Sequence, residues 1–556
     1  MYLFSKIPQF PNSQIPRFPN SSILRFPDSH ILCFFLLLTS YLSFAQSFSH
    51  ADTLRGGLRP ERTSFDVKHY NLSVKVDITN KSISGSNEIS FGVVEKTKKI
   101  QIDLFANMIV DKISMKGKSL SFKRDGNAIF IQFPNELTKG SNEKILIEYH
   151  GQPRAAVRPP WDGGFSWTKD PEGNPWVTVS CEGLGASVWW PCKDHPADEP
   201  ESADIHVEVP SELTAVSNGN LISKVAKGST TQWNWHVSYP INTYNISLNI
   251  AKYAHWSEQL TQLNGKTLNL DYYVLEKNLD KARAHFQQSR EMLLIFEKYF
   301  GPYPFPKDGY CLVETDYWGM EHQSAVAYGN HYKNNPFGFD FIIIHESAHE
   351  WFGNSISCSD HADLWIHEAT GTYAEAVYLE EKMGKDMTQK YLNGQKERIK
   401  GKYPIVGPYG VNYQSPDSDM YFKGTWMFHT IRSIVNDDAL WFKTLKDFCL
   451  DFYHKNTSTE EVVRYFDNKL NKNIKPLMDF YLFKTEYPTL EYKYSGGILT
   501  YRWKNLPDNI HMPVDLLKGK SDKIRLTPTQ NWQDLKIENG FQFDTEHFLM
   551  NVEKLN

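Results

Sequence analysis

Cysteine is scarce here: six residues in a chain of 556. Cys33 lies near the amino terminus, and Cys181, Cys192, Cys311, Cys358 and Cys449 are scattered through the rest. An odd, dispersed set in a large chain excludes a disulfide scaffold. Cys181 and Cys192 could pair in an oxidising compartment; buried free thiols are the equal alternative. Excess positive charge is also lacking. The net charge of −5 leaves no electrostatic footprint for nucleic acid. Long apolar runs are missing too. The most apolar stretch, residues 31–38 with Tyr41-Leu42, falls short of the ~20 residues that a membrane span requires. It follows Arg25 and precedes Ser43-Phe44-Ala45, as in an export signal cut after Ala45; an uncleaved anchor is the alternative. Cleavage would remove Lys6, Arg17, Arg25 and Asp28, a net +2, and leave a chain of −7. The expectation is an exported protein, periplasmic or extracellular, with no stable membrane span. Upstream lies a crude repeat, Ile7-Pro8-Gln9-Phe10-Pro11-Asn12-Ser13 and two relatives. It is too short and proline-rich for a solenoid. It reads as disordered, or as an extension that a later start codon would omit.

What is present is ample apolar and aromatic content, at 40% and 14%, enough for about three packed domains at this length. Beyond residues 1–45, alternation of period two marks residues 55–255 as a β-sandwich-like domain. Tyr70, Leu72, Val74, Val76 and Ile78 alternate with polar residues, and the pattern still holds at 244–250. Residues 256–485 turn helical: Leu279, Ala282, Phe286, Ser289, Leu293, Phe296 and Phe300 share a face until Gly301-Pro302. Later, Thr457 and Glu460 suggest a capping box. Residues 486–556 alternate again, enough for a small β-sandwich. The whole is a multidomain α+β chain.

The chemistry concentrates in His345-Glu346-Ser347-Ala348-His349, followed eighteen residues later by Glu368. Histidines four apart on a helix face the same way and can reach one metal ion. Glu368 completes a His2Glu set with an open fourth position, the mark of a catalytic rather than a structural zinc. Glu346 lies beside the ion without having to bind it. Glu375, two helical turns after Glu368, is placed either to hydrogen-bond a ligand histidine or to form a surface salt bridge. Other segments are weaker alone. Tyr421-Phe422-Lys423-Gly424 opens an apolar helical stretch, where a tyrosine could be core. Cys181-Glu182-Gly183, near Trp189-Trp190, reads from composition as a structural loop with a solvated glutamate. In Trp318-Gly319-Met320-Glu321-His322, the glycine permits close backbone approach to a ligand.

Together these motifs resemble the M1 family of zinc aminopeptidases, the gluzincins, over most of the chain from about residue 60. Trp351-Phe352-Gly353-Asn354 after the histidine motif adds to the likeness. The resemblance implies a thermolysin-like α/β catalytic domain and one Zn2+ per chain on His345, His349 and Glu368. It also implies Glu346 as general base and Tyr421 as oxyanion donor. Glu321 and Glu182 bind the α-amine of peptides with a free amino terminus, and Gly319 and Met320 contact the substrate backbone. Three departures stand out. Trp318 replaces the first glycine of the Gly-x-Met-Glu-Asn motif and His322 its asparagine, which implies a narrower P1′ side. His367 stands where asparagine is usual. The chain ends without room for a large helical fourth domain, which implies a more open site. Alternatives from the residues are a thermolysin-like endopeptidase, which has no need of Glu182 and Glu321, and a catalytically silent peptide-binding protein.

Overall fold

The structure is a computed structural model that describes residues 47–519 and 522–556. The expected export signal, the repeat and Cys33 lie outside the described residues. Helix α1 (His50–Gly56) opens the described chain, capped by a Ser49–Asp52 box. Strand Phe65–Asp77 follows, and its alternation buries Tyr70, Leu72, Val74 and Val76 on one face. It is central to an eight-stranded sheet, antiparallel to Ser82–Val93 and parallel to Ser202–Pro210, with Leu72 opposite Ile205. A three-stranded sheet (Thr97–Asp103, Ala128–Leu137, Ser121–Asp125) and a four-stranded one complete this β-rich region.

The four-stranded sheet matters most for function. Its strand Pro175–Ser180 is almost wholly buried and leads directly into Cys181-Glu182. Just beyond, Trp189 and Trp190 are fully buried, with the Tyr70 ring edge-on to Trp190 at 4.8 Å. This packing anchors the loop, and Glu182 is half-buried rather than a freely solvated glutamate, with its Oε1 buried. The alternation at 244–250 does not become one strand. Thr243–Asn245 is a 3-10 turn, and only Asn249–Ala251 pairs. The cause is local side-chain bonding: Asn218 holds Ser247 N at 2.9 Å and Asn245 O at 2.9 Å.

Strand Tyr253–Thr261 opens a five-stranded sheet that continues through Thr267–Leu275, Tyr310–Glu314 and Val326–Tyr328. Gly319–Met320 forms its short edge, antiparallel to Val326–Tyr328. α2 (Leu279–His285) and α4 (Phe341–Ala348) pack against it, and α3 (Gln287–Phe300), α5 (Trp365–Met383), α6 (Lys385–Lys396) and α7 (Asp419–Val435) pack with them as a helical layer. The helical stretch before Gly301 is therefore two helices, divided at Phe286, and Gly301 ends the second at φ 96°. α5 is buried along nearly its whole apolar length, and α7 crosses it closely. A Cβ on Gly424 would lie 2.5 Å from the Ala369 Cβ. Helices α8 (Asp438–Asp451), α9 (Thr459–Leu470) and α10 (Lys475–Phe483) complete the region. The capping box of α9 is Ser458 with Glu461, one residue later than expected. Thr457 is taken up in a short parallel pairing of Lys455–Thr457 with Ile356–Cys358.

The carboxy-terminal residues form a four-stranded and a three-stranded sheet. These are bolted to the helices: Lys396 Nζ donates to Thr545 O at 2.6 Å and Tyr481 OH to Leu549 O at 2.7 Å. Among the described residues all five cysteines are buried free thiols, so Cys181 and Cys192 do not pair. No helix among the described residues is long and apolar enough to cross a membrane.

Candidate active site

Helix α4 begins at Asp340, whose side chain caps Ile342 N at 3.1 Å. Ile342, Ile343 and Ile344 drive it into the core. Its last turn presents His345 and Glu346; His349 is the C-cap residue and still αR. The two imidazoles are fixed from behind. His345 Nδ1 meets Glu375 Oε1 at 2.7 Å, and His349 Nδ1 donates to Phe352 O at 2.8 Å. Both Nε2 atoms therefore face forward, 3.3 Å apart. Glu368 Oε2 from α5 lies 3.7 and 3.8 Å from them and has no hydrogen-bond partner among the described residues. Two ring nitrogens and a carboxylate oxygen thus converge with their protons directed elsewhere. The 3.3 Å separation matches two nitrogens at about 2.0–2.1 Å from a tetrahedral zinc. The donor set fits Zn2+.

Glu375 is itself held: Tyr391 OH bonds its Oε2, and Gln395 Nε2 lies 3.4 Å from that oxygen. It is a buried residue, not a surface salt-bridge partner. Sequence reasoning did not single out Tyr391 and Gln395. Their helix, α6, carries no chemical motif, and only the fold brings it to Glu375.

Glycines bring backbone close to these groups. Gly371 on α5 faces His349, where an added Cβ would lie 2.9 Å from Cε1. Gly319 on the edge strand abuts Glu346, where a Cβ would lie 2.5 Å from Oε1. The Glu346 carboxyl is pushed well above the ordinary range by burial and by Glu321, Glu368 and Glu375, although the His345 charge opposes this. Burial opposes charging of His345, but Glu368 and Glu375 outweigh it and raise that group well above its usual value. Glu368 is lowered, because the two histidines more than offset its burial. A bound cation would draw the carboxylates towards ionisation and the histidines towards neutrality.

Three acids meet on one side of this centre: oxygens of Glu182, Glu321 and Glu368 all lie within 4.8 Å of one another. Glu182 comes from the β-rich region, and burial with Glu321, Glu368 and Glu346 pushes it well above its ordinary range. Glu321 Oε1 accepts from Tyr244 OH at 3.0 Å, a second partner that its sequence position gave no reason to suspect. Asn354 Nδ2 holds the Glu321 carbonyl at 2.9 Å. Tyr421, from the first turn of α7, stacks obliquely near His345, with rings 6.2 Å apart. Burial and Glu368 keep its phenol protonated.

The departures from the motif are also placed. His322 is fully buried, both ring nitrogens lack partners among the described residues, and burial lowers it to about 3. His367 Nε2 accepts from Cys358 N at 2.8 Å, and burial lowers it to about 3. Trp318 is 48% exposed at the cavity rim. A cavity of about 660 Å3 runs through the site, lined by His345, Glu346, His349, Glu368, Tyr421, Met320 and the acids Glu182 and Glu321.

Residues 66–245 match the Peptidase M1 N-terminal domain and residues 284–481 the Peptidase family M1 domain. The chain belongs to peptidase family M1. Among curated relatives, Aminopeptidase M1-B of Oryza sativa subsp. japonica is 23% identical over 88% of this chain and 60% of its own length. Leucyl aminopeptidase of Saccharolobus solfataricus is 22% identical over 77% of this chain and 55% of its own length. The chain thus spans between half and two thirds of the length of these relatives. An M1 zinc metallopeptidase mutant from Deinococcus radiodurans, solved with a Tyr-Ser-Ala substrate, has the same fold. Its TM-score is 0.65 at 20% identity, covering 76% of this chain and 95% of the other.

Proposed function

We propose that this protein is a zinc aminopeptidase that removes single residues from the free amino terminus of peptides. The observation that carries the reading is the meeting of Glu182, Glu321 and Glu368 beside the His345–His349–Glu368 donor set. Three acids close together favour one ammonium at a fixed distance from the cleavage point. A thermolysin-like endopeptidase would need Glu368 for its metal but would have no use for Glu182 and Glu321. In this reading His345, His349 and Glu368 hold one Zn2+ per chain, with Glu375 behind His345. When bound, zinc polarises the scissile carbonyl and lowers the pKa of water towards ~7.

The chain's own residues do the rest. Glu182 and Glu321 orient the substrate through its ammonium, and Tyr244 steadies Glu321. Backbone at Gly319 and Met320 lies alongside the bound peptide. Glu346 takes a proton from the attacking water and passes it to the leaving amine. The Tyr421 O–H donates to the carbonyl oxygen as it gains charge; one such donor is typically worth about 2.7–4 kcal/mol. The relatives named as aminopeptidases support this reading. Export is part of the proposal and rests on residues 31–45 alone; the amino-terminal sequence of protein recovered outside the cytoplasm tests it.

The deciding measurement compares aminoacyl-p-nitroanilides with their N-acetylated forms, with and without a chelator. Cleavage of the free-amine set alone, lost to chelator and restored by zinc, is expected. Cleavage of acetylated substrates would instead assign an endopeptidase.

A further inference from the structure

The cavity rim carries an unusual pair. Trp161, from the β-rich region, is 64% exposed, and Trp318, just before the edge strand, is 48% exposed. Their rings meet edge to face at 6.4 Å and 71°. Both line the cavity that holds the zinc-ligand set. Neither is loosely held. Trp318 Nε1 donates to Asn330 Oδ1 at 3.2 Å, and its ring lies against Phe341 at 5.2 Å. The Trp161 loop is pinned by Asp162, which accepts from Val157 N and Arg158 N at 2.8 Å each. Two adjoining apolar rings held in place at a cavity mouth offer a ligand a ready contact surface.

The edge strand gives the pair a direction. The three acids that would take the ammonium include Glu321, immediately after Gly319–Met320. Gly319 lies against Glu346, the group beside the bond to be cut. Trp318 is the next residue back along the chain. A peptide with its amine at Glu321 and its scissile carbonyl at Glu346 therefore runs antiparallel to the edge strand. Its continuation arrives at Trp318 and Trp161.

We infer that Trp161 and Trp318 form an aromatic clamp for the side chain one or two residues beyond the scissile bond. The enzyme would then favour peptides with an aromatic residue there. This rests on the aminopeptidase reading above. It sets a substrate class that the acids cannot set, because they see only the ammonium.

The test uses the zinc-loaded full chain with leucinamide, Leu-Ala-Ala, Leu-Phe-Ala and Leu-Ala-Phe. An edge-to-face aromatic contact corresponds to a preference of roughly 3- to 10-fold. The better of the two phenylalanine peptides should exceed Leu-Ala-Ala in kcat/KM by that factor. In Trp161→Ala and in Trp318→Gly the ratio should fall to about one. Trp161 lies far in sequence from the catalytic groups, so it still decides the matter if Trp318→Gly misfolds. A ratio of one in the unsubstituted protein, or a ratio unchanged by both substitutions, overturns the clamp while hydrolysis of leucinamide leaves the aminopeptidase reading standing. Failure to cleave leucinamide and every peptide would overturn both.

Discussion

At the scale of single residues, the proposed function separates groups that would hold the metal from groups that would act on the peptide. Glu346 is not among the converging donors, so Glu346→Gln should lower kcat by about 10^2- to 10^4-fold while zinc content stays at its unsubstituted level. Elemental analysis beside turnover checks both halves, and loss of zinc together with activity would make Glu346 a ligand. Glu375 has the opposite role. Its carboxylate fixes the His345 ring and is itself fixed by Tyr391. Glu375→Ala should therefore weaken zinc affinity by about 10- to 100-fold, measured by competition with a chelator. The convergence of His345 and His349 was legible in the sequence because their four-residue spacing maps directly onto a helix face. Tyr244, Tyr391 and Gln395 were not legible. They reach Glu321 and Glu375 only through tertiary packing, and nothing local to them signals it.

At the scale of elements, the site depends on how closely α5 approaches its neighbours. Glycine inside a helix ordinarily costs about 1 kcal/mol relative to alanine. Gly424 nevertheless sits within α7, where a Cβ would collide with Ala369 of α5. Gly424→Ala should therefore destabilise the protein by about 1–3 kcal/mol, despite the better intrinsic helix former. Thermal unfolding checks the sign, and a raised midpoint would mean that the two helices can part without strain. Elements that the sequence placed well are those whose burial follows one period, such as strand Phe65–Asp77 and helix α4. It failed at 244–250 and at the start of α9. In both places side-chain hydrogen bonds or a distant strand claimed residues whose local pattern pointed elsewhere.

At the scale of the whole molecule, acid should be the condition that the fold tolerates least. His195 and His429 are each lowered to about 3, and His361 well below its ordinary value, chiefly by burial. These groups are neutral when folded and charge freely at ~6.5 when unfolded. The stability they confer is thus complete above about pH 6.5 and is lost as pH falls from there towards 3. Each adds about 1.4 kcal/mol per pH unit across that window. The slope of unfolding free energy against pH should accordingly drop by about one proton in His429→Gln; an unchanged slope would remove His429 from this account. The order of regions, β-rich, then helical, then β-rich, was legible from changes of period, whereas the sheet within the helical region was not. What no period could reveal is how the last region is attached. Its loop at Thr545 is tied to Lys396 on α6, the helix whose Tyr391 steadies Glu375 and, through it, His345. A sheet pair with no chemistry of its own thus stands at the far end of a chain of contacts that ends at His345, a residue of the proposed metal site. If the proposed zinc site is right, the fraction of purified molecules that retain zinc should fall when the contacts of the tail end of the chain are cut, and would then gauge how well that end is seated.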